Sequence, residues 1–142
     1  MIGILIFPDF QLLDAAGPIS VFEIAARASG KPLALRVLAL NAGAVRSSSG
    51  VEMMARDFKS ANAITTLVVA GGAGVGAAAR CPTTLAFVQR LAKRGVRLCL
   101  LGIGPEAARR VSERQRDFAA QGGKFASIFP ADPKSLLSLA AK

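Results

Sequence analysis

The 142-residue chain has no histidine, tryptophan or tyrosine, and only two cysteines. Without histidine, Ser–His and Cys–His dyads are excluded, as are the common zinc constellations. Acid–base chemistry falls to Asp, Glu, Lys, Cys or the chain termini. Cys81 and Cys99 are too few for a disulfide framework and lack metal-site spacing. No apolar run reaches the roughly 18–20 residues that span a bilayer, so no membrane partner is expected. Met1 to Phe7 carries no basic leader and runs into Pro8-Asp9. It reads as a first strand, and a cytoplasmic location is the default expectation. Acidic residues are also sparse, with none between Asp57 and Glu106.

What is present is apolar and basic. Hydrophobic residues make up 52% of the chain, enough for the core of one domain. The formal net charge is +9. Such a charge attracts polyanions, but the basic residues are scattered. They have no interleaved aromatic platform and no recognisable helix-turn-helix. Sequence-specific DNA binding by this chain alone is therefore not expected.

Apolar strands alternate with helical segments. Gly3–Phe7, Leu33–Leu40, Thr66–Ala70 and Val96–Leu101 read as strands. Val45-Arg46 and Val51–Met54 read as a hairpin around Ser47–Gly50. Pro18 suits a first helical turn, which predicts a helix over Ile19–Ala28 ending near Gly30. Thr83–Arg94 predicts a second helix, closed by Gly95. The central strands are almost wholly apolar, so the expected fold class is α/β, with a mostly parallel sheet covered on both faces. Beyond residue 104 the pattern weakens. Ala107–Ala120 is helical in propensity, Lys124–Phe129 suits an edge strand, and Pro133–Ala141 suits a short closing helix.

Three features bear on chemistry. Gly72-Ala73-Gly74-Val75-Gly76-Ala77 follows a strand and fits G-x-G-x-x-G/A. A dinucleotide site would also need an acidic residue about 20 positions on for the ribose, and none is there. No cofactor is expected. The better reading is a glycine-rich loop whose N–H groups face a ligand. Asp14 stands at a strand-to-helix junction and suits either acid–base work or capping before Pro18. Glu23 reads as a solvated or paired surface residue. Cys99, among leucines, reads as a buried structural thiol, and Cys81, beside Pro82, as an exposed loop residue.

Three stretches together resemble the DJ-1/PfpI superfamily, also described as ThiJ/PfpI or class I glutamine amidotransferase-like. They are IGILIFPDFQLLDAAGPISVFE from Ile2 to Glu23, VRSSSGVEM from Val45 to Met53, and TLVVAGG from Thr66 to Gly72. They are most similar to the branch holding isonitrile hydratases and the N-terminal domains of AraC-type transcriptional regulators. The resemblance implies a flavodoxin-like three-layer sandwich, usually a homodimer. It implies a ligand site in which Asp14 is the acidic residue and Gly71 and Gly72 offer an oxyanion-type N–H. Gly102, Ile103 and Gly104 then form the elbow, with Gly102 where enzymes of the family carry a nucleophilic cysteine. A glycine cannot attack or be activated, so covalent catalysis is lost.

Residues 1–104 are thus expected to form a DJ-1/PfpI-like domain. Residues 105–142 form a divergent or truncated tail, or reflect a changed reading frame. The expected function is a non-catalytic module of the AraC-regulator type, a pseudoenzyme that senses a small polar ligand and dimerises, without the helix-turn-helix half. The alternative is an isonitrile hydratase-like or other superfamily enzyme using Asp14 with an atypical nucleophile.

Overall fold

The computed structural model describes residues 1–61 and 63–102. The expectations for Ile103, Gly104 and the 105–142 tail lie outside these residues. The described chain runs β1 (Ile2–Leu5), α1 (Leu12–Ser29), β2 (Leu35–Ala39), β3 (Gly43–Arg46), β4 (Glu52–Asp57), β5 (Thr66–Val69), α2 (Val75–Arg80), α3 (Pro82–Lys93) and β6 (Arg97–Leu100). A single 3-10 turn, Phe58–Ser60, follows β4.

The strands form one sheet in the order β3-β4-β2-β1-β5-β6. Every pairing is parallel except the β3–β4 hairpin. This is the expected α/β class in a flavodoxin-like arrangement. From β1 the chain winds one way through α1 to β2. From β5 it winds the other way through α2 and α3 to β6. Right-handed crossovers then put α1 and α3 on opposite faces.

Two apolar layers confirm that placement. On one face Ile4, Ile6, Val68 and Cys99 pack with Ala15, Leu12, Ile19 and Phe22 from α1. On the other, Leu5, Leu38, Leu67 and Leu98 pack with Phe87 and Leu91 from α3. Phe58 stacks on Phe87 with ring centroids 4.3 Å apart, and the Arg90 guanidinium lies 5.5 Å from the Phe87 centroid. No described helix is long and apolar enough to cross a membrane.

α1 corrects the sequence reading. It starts at Leu12, seven residues before Ile19, and Pro18 lies inside it. Proline in a helix interior forfeits one backbone hydrogen bond. Leu12, Ala15, Ile19 and Phe22 recur at helical spacing and pack on or into the same core. Their burial outweighs that local loss. Gly30, at φ 64°, ends the helix in the left-handed conformation, where its N–H reaches carbonyls of the last turn.

Candidate functional site

The winding reverses between β1 and β5, which opens a crevice at the carboxyl ends of these strands. Three strand-end segments meet there. Ile6–Gln11 follows β1, Ala70–Gly74 follows β5, and Leu101-Gly102 follows β6. Ladder hydrogen bonds carry the register into them, Ala70 N–H to Leu5 O at 3.0 Å and Leu101 N–H to Val69 O at 3.0 Å.

Backbone contacts hold the segments together. The Gln11 N–H donates to Gly71 O at 2.8 Å, and the Gly74 N–H to Asp9 O at 3.1 Å. The Asp9 N–H donates to Arg46 O at 2.9 Å, and the Ser48 N–H to Phe10 O at 2.9 Å, which ties in the β3–β4 turn. Phe10 is fully buried and bridges both Ser47 and Gly72. Asp9 has φ 60°, a conformation that Asp tolerates better than most residues.

Glycine is required where the segments touch. A Cβ on Gly71 would lie 2.5 Å from the Gly102 carbonyl carbon and oxygen and from Leu101 O. One on Gly72 would overlap the Gln11 nitrogen, and one on Gly74 the Pro8 carbonyl oxygen. One on Gly76 would meet nothing nearer than the Arg80 side chain, at 3.5 Å.

Part of the loop's donor set is turned inward. The N–H groups of Gly71, Gly74 and Val75 are all engaged within the chain. Gly72 and Gly74 serve the approach to Pro8–Gln11. α2 has only six residues, a poor support for a pyrophosphate.

Asp14, Gly71 and Gly102 do come together. The early start of α1 puts Asp14 in its first turn, where a carboxylate is favoured by the helix dipole. Its Oδ2 accepts a hydrogen bond from the Gly71 N–H at 2.9 Å. Gly102 is exposed, with φ 52°, and a Cβ built on it would overlap Asp14 Oδ2. The carboxylate occupies the space where an elbow side chain would begin. Gly72 sits beside them, one residue beyond Gly71.

The other candidates lie elsewhere. Glu23 pairs with Arg27 one helical turn on, as expected of a surface residue. Cys99 is buried in β6, level with Val68, and burial pushes its thiol up against a smaller opposing effect from Arg97. Cys81 is not a plain loop residue. It is half-buried, ends α2 and begins α3. Interaction with the Thr84 hydroxyl, then with the Thr84 amide, holds its thiol below the ordinary value. Sequence reasoning missed Asp9, Phe10, Ser47 and Ser48 as the ties between segments. The serine-rich hairpin turn was the available signal, since its polar groups need partners.

No protein-family model matches the chain. It is 34% identical over 102 residues to an uncharacterized protein in the cpoL 5′ region of Streptomyces lividans, covering 71% of this chain and 72% of that one. A ThiJ/PfpI family protein from Pseudomonas syringae superposes with a TM-score of 0.61 at 25% identity, over 70% of this chain. The chain belongs to the DJ-1/PfpI superfamily. It spans only 40% of the length of the Pseudomonas syringae protein. An AraC family transcriptional regulator from Pseudomonas putida shares the fold, with a TM-score of 0.64 at 21% identity, over 81% of this chain and 72% of that one.

The two glycines of the post-β5 loop should respond oppositely to alanine. Gly74→Ala forces a side chain into the Pro8 carbonyl and should cost about 3 kcal/mol. Gly76→Ala lies in α2 with open space and should stabilise by up to about 1 kcal/mol. Denaturant unfolding of both variants checks this. In the folded chain, iodoacetamide should modify Cys81 at a pH below that of an ordinary thiol, because its lowered pKa leaves more thiolate. Cys99 should stay unmodified until unfolding. Peptide mass spectrometry after alkylation across pH reads both.

Proposed function

We propose that this chain is a non-catalytic DJ-1/PfpI-like module that binds a small polar ligand and pairs with a second copy of itself, in the manner of a regulator's sensing domain. The observation that carries the reading is Gly102. The expected elbow position has no side chain, and Asp14 Oδ2 stands where one would begin. Neither cysteine compensates, since Cys99 is buried in β6 and Cys81 lies at the α2–α3 junction. The fold shared with an AraC family transcriptional regulator supports a regulatory rather than a metabolic setting.

Pairing is supported by the outer face of α1. Leu13, Val21 and Ile24 are 70%, 64% and 63% exposed, and Gly17 lies between Leu13 and Val21 on the same stripe. In its 18 residues α1 carries just three charges, on Asp14, Glu23 and Arg27, and the last two pair with each other. A helix apolar on both its inner and outer faces calls for a partner outside its own sheet. A stripe free of charge along its length can pack on its own two-fold copy, which is how most homodimers form.

Light scattering with size-exclusion chromatography should find a dimer, and Val21→Arg should give a folded monomer. A monomeric wild type would remove the pairing half of the proposal. The purified chain should not turn over isonitriles, and Cys99→Ala should change nothing. Wild-type turnover lost in Cys99→Ala would overturn the non-catalytic half.

A further inference from the structure

We infer that the ligand recognised at Asp14 carries a positively charged hydrogen-bond donor, an amidinium or ammonium nitrogen, and not an oxyanion. The inference rests on the ligand-binding reading above and specifies the chemistry at that site. Two anion-attracting devices meet in this crevice, the Gly71 N–H and the N-terminus of α1. One group stands at both, bonded to the first and lying in the first turn of the second without a side-chain cap hydrogen bond. Asp14 sits in the first turn of α1, and its Oδ2 takes the Gly71 proton. An incoming carboxylate or phosphate would find that donor occupied and a like charge in place.

The same arrangement makes the crevice an acceptor. Only Oδ2 is committed to Gly71, so the carboxylate has lone pairs to spare. Among the described residues Asp14 has no ion-pair partner, and the ion pair formed by Arg27 and Glu23 lies further along α1. Gly102 is exposed and presents no side chain over the carboxylate, so a small donor can approach from that side. A bidentate donor such as an amidinium matches a carboxylate edge, and charge assistance strengthens each bond.

Gly102 is thus the switch of ligand polarity. A side chain there would displace Asp14 and release the Gly71 N–H to an oxyanion. The test is a titration of the full chain with acetamidinium chloride and, separately, sodium acetate at matched ionic strength, read from the Gly71 and Gly102 amide resonances. We expect saturable shifts with acetamidinium in the wild type, at least a tenfold weaker response in Asp14→Asn, and none with acetate. In Gly102→Ala the preference should reverse. Saturation by acetate in the wild type overturns the inference but leaves a ligand site in place. So does an acetamidinium response unchanged in Asp14→Asn, which keeps the test decisive even if Gly102→Ala fails to fold. No response to either probe overturns the inference, while the dimer and turnover measurements still judge the broader function separately.

Discussion

One hydrogen bond organises the carboxyl end of the sheet, from the Gly71 N–H to the Asp14 carboxylate across the β1/β5 crevice. It exists because three conditions coincide. α1 begins early enough to place Asp14 in its first turn. Gly71 has no Cβ to hold the post-β6 segment away. Gly102 has no side chain to occupy the carboxylate's position. Remove any one condition and the site changes character.

The close approach of the three strand-end segments follows from the same economy of side chains. Parallel strands lie about 4.8 Å apart, so loops leaving adjacent strand ends can touch only where one of them is bare. Gly71, Gly72 and Gly74 supply the bare positions, and buried Phe10 fills the space beneath. Peptide groups along the seam bond to one another. The N–H groups of Asp9, Gln11, Gly71 and Gly74 are thereby committed within the chain. At the post-β6 position it is Asp14 Oδ2 that stands where a side chain on residue 102 would begin.

The strand pattern was legible because Gly3–Phe7 and Thr66–Ala70 read as almost wholly apolar runs and Val96–Leu101 is interrupted only by the exposed Arg97. The start of α1 was not. Pro18 is a strong local signal for a helix beginning, but the inward repeat Leu12, Ala15, Ile19 and Phe22 is a tertiary signal, visible only once there is a sheet to pack against. The site was legible in part. Asp14, Gly71 and Gly102 were singled out by family resemblance, and the structure brings them into contact. The bond from the Gly71 N–H to Asp14 was not legible, because pairing between residues 57 positions apart has no local signature. Cys81 was read as an exposed loop residue because the end of α2 and the start of α3 at that position were not read from the sequence.

The most direct test is a double-mutant cycle between positions 14 and 102, measured as unfolding free energy. Gly102→Ala carries two costs, a left-handed backbone worth about 1–2 kcal/mol and the overlap with Asp14 Oδ2. The first persists whatever stands at position 14, and the second vanishes with Asp14→Ala. We expect Gly102→Ala to be less costly in the Asp14→Ala background by about 1 kcal/mol or more, within the range of residues in direct contact. Additive costs would mean that the carboxylate does not occupy the elbow position, and the reading of this site would be wrong.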